Sequence, residues 1–103
     1  MESRQGKSKG PNSDSPDGFR FFYRSLIVSA LRDLGLGNIL EVPASREWRD
    51  SPLFREACVG AEWDQEWIES IFIAVEDLHT DSDVVRKKLT RESVRLLKGL
   101  AKE

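Results

Sequence analysis

The only cysteine and the only histidine of the chain, Cys58 and His79, are its best candidates for covalent or acid–base chemistry. Nucleophilic catalysis needs a nucleophile with a base within hydrogen-bond reach. Cys58 falls on the apolar face of a predicted helix, where it behaves as a small buried hydrophobe. His79 falls at the end of a later helix, where its charge favours the helix dipole. The sequence therefore predicts no catalytic site, and we expect that the chain is not an enzyme.

The acidic residues around His79 raise the question of a metal site. Glu76 and His79 have the Glu-x-x-His spacing of di-iron bundles, but those bundles use two such pairs and two further glutamates. The alternating aspartates nearby are like the start of a calcium loop, yet Lys88 falls where that loop needs a glutamate. Glu66 and Glu69 lie one turn apart on a face expected to be exposed. We therefore expect a solvated helix end there, with no metal and no cofactor.

Positive and negative charge are separated along the chain. Residues 84–103 contain seven basic and two acidic residues, whereas residues 41–83 contain three basic and twelve acidic residues. Such a separation is typical of two segments that attract each other within one fold, which is the favoured interpretation, or of a nucleic-acid contact. Pairing of the basic residues with the acidic helix would argue against nucleic-acid binding. The candidate contact residues of that alternative are Arg86, Lys87, Arg91, Arg95 and Lys98.

Residues 54–68 have the spacing of two short helices joined by a tight turn, as in a helix-turn-helix unit. That pattern has a small residue in the first helix, a glycine in the turn and a β-branched residue in the second helix. Cys58, Glu62 and Ile68 occupy these positions, so the turn lacks its glycine. The second helix would present acidic side chains that repel phosphate. The favoured interpretation is that residues 54–68 are two helices of the core that cross at this angle. The alternatives are a helix-turn-helix unit that contacts a protein and one that contacts DNA.

A wider set of residues around this unit carries a resemblance to a known group of proteins. The set comprises Trp48, Phe54-Arg55-Glu56-Ala57-Cys58, Ala61, Asp64 and Ile68, with a preceding helix of the type found at 23–33. It resembles small uncharacterised phage and prophage proteins over about half of the chain. The chain departs from their pattern at Ala57, where they have valine, and at Glu62, where they have glycine. The resemblance implies helical structure and a phage-like origin more than an activity.

Length and composition limit the organisation of the chain. Its 103 residues form one domain at most. Residues 1–17 have no large apolar side chain after Met1, so we expect a disordered tail there and a single helical domain over 18–103. No apolar run approaches the ~20 residues needed to cross a bilayer, and residues 1–18 have no apolar stretch like that of a signal peptide. With a single cysteine, these features predict a cytoplasmic protein.

The apolar periodicity predicts an all-α fold, a small orthogonal bundle of four to five helices. The first helix is predicted from Gly18 to Leu34, ended by Gly35 and Gly37 in the left-handed conformation. A connection over 38–44, in which Pro43 enforces an extended chain, and a single helical turn over 45–50 should follow. Three further segments are predicted as helical: residues 53–60, with Ser51 as the cap and Pro52 at the first helical position, residues 65–79 with Asp64 as the cap, and the chain from 83 onward as one helix or two.

The predicted core and the predicted size of the domain bear on function. In the short helix over 53–60, the residues expected to face inward are Leu53, Phe54, Ala57 and Cys58, and Trp48, Trp63 and Trp67 are expected near one core region. About 85 folded residues are a marginal size for a lone core. We therefore expect a non-enzymatic protein-interaction module that binds a partner protein or itself. The alternative is a nucleic-acid-binding accessory protein; no membrane contact and no small-molecule substrate are indicated.

Overall fold

The computed structural model describes residues 16–101, and within this range the chain forms five α-helices and no strand. The helices are α1 (Pro16–Leu36), α2 (Glu41–Arg49), α3 (Pro52–Ala61), α4 (Gln65–Leu78) and α5 (Asp83–Ala101). The predicted all-α fold is confirmed, and the last segment is one continuous helix. The predicted disordered tail falls outside the described residues, except that Pro16 and Asp17 belong to α1. None of the five helices has the length and apolar character needed to span a membrane.

The core lies where α1 and α4, each of which contacts the other four helices, meet α3 and α5. Side chains that are fully buried in it come from four helices: Ile27, Leu31, Leu34, Phe54, Ala57, Cys58, Ile68, Phe72, Val75 and Leu97. Trp63 is buried, and Trp48 and Trp67 are half-buried against the same cluster. The tryptophans therefore have the core-packing role that the sequence predicts for them.

The end of α1 differs from the prediction. Neither Gly35 nor Gly37 has a left-handed φ, and α1 continues through Gly35 to Leu36. The glycine at position 35 instead permits a close approach of two helices, because a Cβ there would lie 1.9 Å from Oγ1 of Thr90 in α5. The carbonyl of Gly35 also accepts a hydrogen bond from Nε of Arg86 at 2.8 Å. These contacts fix the C-terminal end of α1 against α5.

Helix α2 is longer than predicted. The connection predicted over 38–44 is wrong in its second half, because α2 begins at Glu41 and includes Pro43. Pro43 is the third helical residue, and the first four N–H groups of a helix have no partner within it. Its missing N–H therefore removes no helical hydrogen bond. Trp48 reaches the core as predicted and packs edge-on against Phe54, with ring centroids 5.1 Å apart.

Helices α3 and α4 begin where the sequence predicts. Ser51 and Pro52 hold the cap and first positions of α3, although the Ser51 hydroxyl donates to the carbonyl of Trp48 at 2.7 Å rather than capping the helix. The Asp64 carboxylate accepts from the backbone N–H of the third residue of α4 at 2.8 Å, which is the predicted cap. The predicted inward position of Leu53 is wrong: the buried residues of α3 (Phe54, Ala57, Cys58 and Ala61) define one helix face, and Leu53 lies about a quarter of a turn away from its centre and is exposed.

Candidate functional site

An open groove of about 500 Å³ lies between α1 and α5. Its floor contains Leu36, Thr90 and Val94, and the close approach at Gly35 fixes its position. Four cationic side chains line it, and none of its lining residues carries a carboxylate. These four are Arg32 from α1 and Arg91, Arg95 and Lys98 from α5. We call them the groove cations.

The groove cations form a row because of their helical spacing. Arg91, Arg95 and Lys98 follow one another at i, i+4 and i+7 on α5, which places them on one face of the helix. All are exposed, as is Arg32. None of the ion pairs among residues 16–101 involves any of the four. The groove is therefore a concave surface with positive charge that the described fold does not neutralise.

Two acidic residues of α4, Glu69 and Glu76, are paired with arginines of a different helix, α2. Glu76 is only 3% exposed, and its carboxylate accepts hydrogen bonds from Nε and Nη2 of Arg49, both at 2.8 Å. It also accepts from the Ser45 hydroxyl at 2.8 Å and from Nε of Arg46 at 3.4 Å. Arg49 reaches Glu69 through Nη1 at 3.1 Å. The negative charge of α4 is thus not paired with the positive charge of α5. The prediction that Glu76 lies at a solvated helix end is wrong, because its carboxylate is buried.

The pKa values of this pair follow from its geometry. Burial alone would raise the pKa of Glu76, but the hydrogen bonds from Arg49 and Ser45 and the charge of Arg49 outweigh burial, so the pKa lies below its ordinary value. The hydrogen bond to Glu76 raises the pKa of Arg49. Both groups are therefore charged at neutral pH, and the pair links α2 to α4 as a buried ion pair. We call this set of residues (Ser45, Arg46, Arg49, Glu69 and Glu76) the ion-pair cluster.

Arg86 stands apart from the other four predicted contact residues. It is 5% exposed, donates to the Gly35 carbonyl, and pairs with Asp83 one turn earlier. The hydrogen bond and charge of Arg86 lower the pKa of Asp83. Arg86 therefore serves the junction of α1 and α5 and does not line the groove. Lys87 is exposed one turn before Arg91, beside Leu36 at the groove's end.

Sequence reasoning missed Arg32, the groove cation on α1. It lies 59 positions before Arg91, and no local pattern brings the two together. Their proximity depends on how α1 packs on α5. A usable signal is Gly35, since a glycine near the end of a predicted helix can mark a close helix approach as well as a cap. This glycine marks the C-terminal end of α1 as the end that packs closely against α5.

The groove continues toward the N-terminal half of α1. An adjoining cavity of about 460 Å³ shares Arg32 and Lys98 with it and is also lined by Phe21, Ser25 and Ser29. These α1 residues lie at i, i+4, i+8 and i+11, so they follow a single face that ends at Arg32. Phe21 is 64% exposed and both serines are exposed. The extended groove therefore joins a cationic half to a half with one aromatic ring and two hydroxyl groups.

A second exposed apolar feature lies on α1 outside the groove. Phe19, Phe22 and Leu26 have the i, i+3, i+7 spacing of one helical stripe, and each is at least 41% exposed. The Phe22 ring packs edge-on against Tyr23, with centroids 5.3 Å apart. We call these three residues the aromatic stripe. Exposed apolar side chains grouped in this way typically mark a contact surface.

The two residues singled out for covalent chemistry lie apart from the groove. Cys58 is buried, and burial raises the pKa of its thiol to about 11. Nε2 of His79 lies 2.6 Å from the carbonyl oxygen of Leu34 and donates to it. His79 therefore links the end of α4 to α1. Among the residues that the structure describes, no group of three or more histidine, cysteine or acidic side chains is placed to hold a metal ion.

The turn between α3 and α4 spans residues 62–64. Glu62 has φ 61° and ψ 37°, so the residue at the expected glycine position of the helix-turn-helix spacing takes the left-handed conformation. Its carboxylate lies 3.3 Å from Nη1 of Arg20. Arg24 donates to the carbonyl of Ala61 at 2.8 Å and stacks over the ring of Trp63. The helix-turn-helix interpretation of this turn stays a prediction.

Comparison with known proteins identifies no relative of this chain. No family description matches the chain, and neither a curated protein nor a solved structure matches it. The resemblance to phage and prophage proteins therefore stays a prediction. Any functional proposal rests on the groove, the ion-pair cluster and the aromatic stripe.

Proposed function

We propose that the protein is a non-enzymatic nucleic-acid-binding protein whose contact surface is the groove between α1 and α5. The observation that carries this proposal is the row of four groove cations with no carboxylate among the lining residues. Arginine and lysine side chains that neutralise phosphates release condensed counterions, and this release dominates the affinity of proteins for nucleic acids. Arginine also forms bidentate hydrogen bonds with phosphate oxygens.

The location of the acidic residues supports the proposal. The chain has a formal net charge of −2, so it does not attract a polyanion as a whole. Attraction must come from a region where positive charge is concentrated and locally unopposed. The strongest acidic cluster, on α4, is neutralised by Arg46 and Arg49 of α2. The groove cations are left for an external anion.

The direct test is binding to fluorescently labelled mixed-sequence oligonucleotides, single-stranded and duplex, across a salt series. The affinity should fall steeply as salt increases. The double variant Arg91→Gln/Arg95→Gln should flatten the slope of log K against log salt by about 1.5, because each neutralised phosphate contributes about 0.7 to 0.9 to that slope. No binding to either oligonucleotide at low salt would overturn the proposal.

A matched control separates the groove from general charge. Arg55 of α3 and Lys88 of α5 are exposed cations that line neither half of the groove. The variant Arg55→Gln/Lys88→Gln loses the same two positive charges. Its salt slope should stay close to that of the unmodified protein. An equal decrease of the salt slope in both double variants would show that the groove has no special role in binding.

The aromatic stripe favours a second candidate function, a protein-interaction module that self-associates. The occupant is a second copy of the chain, because about 85 folded residues are a marginal size for a lone core. A two-fold interface uses the same patch twice, so pairing would cover Phe19, Phe22 and Leu26 in both copies. Light scattering should then give a dimer mass that Phe22→Ser converts to a monomer mass. A monomer at every concentration would exclude this candidate.

A further inference from the structure

We infer that the groove between α1 and α5 selects single-stranded over duplex nucleic acid, and that Phe21 stacks on a base of the bound strand. This inference rests on the proposed function and names the class of nucleic acid that the same site binds. It depends on the continuity of the two halves of the groove, which share Arg32 and Lys98.

The shape of the site differs from the shape of the elements that usually read a duplex. Proteins read a duplex by inserting a protruding helix or strand pair into its major groove, which is about 12 Å wide. Here the cations line a concave cleft between two packed helices, whose axes lie roughly 8–10 Å apart. A duplex resting on the rim of such a cleft would reach the exposed cations but not the buried floor at Thr90 and Val94. A single strand is thin enough to lie along it.

The chemistry of the lining residues fits the two parts of a nucleotide. The cationic half can hold phosphates, and the exposed hydroxyl groups of Ser25 and Ser29 can donate to phosphate or sugar oxygens. Phe21 lines the far end of the same cleft and is 64% exposed. Sites that bind single strands combine a positive groove with aromatic rings on which bases stack. Phe21 supplies that ring.

The length of the groove also fits a strand segment rather than one small anion. Phe21 and Leu36 mark its ends on α1 and lie fifteen residues apart, which corresponds to about 22 Å at a rise of 1.5 Å per residue. A single phosphate would contact only one or two of the groove cations. The row of cations and the ring at its end are instead arranged along one line, as a chain-like ligand requires.

The test compares four probes by fluorescence anisotropy or competition at one moderate salt concentration: an oligothymidine strand, an abasic strand of the same length, a mixed-sequence duplex and inorganic polyphosphate. The oligothymidine should bind most tightly. Phe21→Ala and Phe21→Leu should each weaken its binding by about tenfold and leave binding of the abasic strand unchanged. Phe21→Tyr, which keeps the ring, should restore the affinity for oligothymidine.

The controls make each outcome informative. Leu96→Ala removes an exposed apolar side chain of α5 that lines neither half of the groove, and it should leave all four affinities unchanged. The melting temperature of each variant should match that of the unmodified protein, since the substituted side chains are exposed. Tight binding of the duplex or of polyphosphate, with no effect of Phe21→Ala, would overturn the inference and leave the phosphate-binding function standing. Failure of every probe to bind would overturn both.

Discussion

Arginine residues occur in two regions of this protein with opposite surroundings. In the ion-pair cluster, Arg46 and Arg49 meet the buried carboxylate of Glu76, and Arg49 is largely covered. In the groove, Arg32 and Arg91 line an open surface with no carboxylate beside them. The same side chain therefore has a structural role where an acidic partner is buried with it. Where the fold supplies no partner, the charge remains for a ligand.

The comparison also explains how one chain with a near-neutral net charge can present a positive surface. Glu69 and Glu76 of α4 are paired with Arg46 and Arg49 of α2, which belong to the same segment of the chain, and not with cations of α5. Of the basic residues of α5, only Arg86 forms an ion pair among residues 16–101, with Asp83 of the same helix, and it is buried at the junction with α1. What remains of each sign lies on different parts of the molecule.

The largest effect is expected in the ion-pair cluster. Glu76→Gln should lower the free energy of unfolding by about 3 kcal/mol, because it leaves Arg46 and Arg49 without the carboxylate that they surround. Glu69→Gln is the control, since Glu69 is about a third exposed and should contribute less than about 1 kcal/mol. Urea denaturation measures both. Equal small effects would mean that the cluster does not hold α2 on α4.

The next effect concerns the walls of the groove. Gly35→Ala should lower the free energy of unfolding by about 2 kcal/mol, because the added methyl group meets Thr90 and forces α1 away from α5. It should also weaken oligonucleotide binding, since Thr90 lies on the groove floor. Gly60→Ala is the matched control: its methyl group meets the ring of Tyr23 where α3 packs on α1, so it should also lower the free energy of unfolding, but Gly60 lines neither half of the groove and binding should persist. Loss of binding in both variants would argue against the groove geometry.

A smaller effect should appear in the dependence of stability on pH. The pKa of Glu76 is lower in the folded protein than in the unfolded chain, so its contribution is complete above the unfolded pKa, about 4.3. The contribution is lost as pH falls through the folded pKa. Thermal unfolding between pH 6 and pH 2.5 should therefore show a steeper acid loss in the unmodified protein than in Glu76→Gln. Parallel curves would contradict the paired state of Glu76.

The smallest effect is expected in the groove itself. Arg91→Gln/Arg95→Gln should change the free energy of unfolding by less than about 0.5 kcal/mol, because these exposed side chains have no ion-pair partner among residues 16–101. The same variant should lose oligonucleotide affinity. A clear loss of stability in urea would place the groove cations with the ion-pair cluster as structural residues, and the contrast between the two regions would fail.

Local signals predicted the helices better than they predicted the site. The cap at Asp64 and the proline at the start of α3 were sufficient to place two helix starts. Pro43 misled because a proline suits the first turn of a helix as well as an extended connection. The role of Gly35 was missed because a glycine near a helix end can serve either as a cap or as a point of close packing.

Some of the functional residues can be predicted from local spacing, and others depend on how the helices pack. The row of Arg91, Arg95 and Lys98 is visible from helical spacing alone, but Arg86, five residues before Arg91, has the same residue type and is buried. Whether a cation faces solvent depends on the packing partner, here Gly35 of α1, which no local pattern identifies. For the same reason the sequence does not predict Arg32 as a member of the site, or Glu76 as a buried carboxylate.

The central claim is that a nucleic-acid strand binds in the groove between α1 and α5 and not elsewhere on the molecule. The most direct measurement is a titration of ¹⁵N-labelled protein with a single-stranded oligonucleotide, followed by amide chemical-shift changes. The shifts should concentrate at residues 21–36 and 87–100 and leave α2 and α4 nearly unchanged. Shifts centred on α4, or no shifts at saturating oligonucleotide, would contradict it.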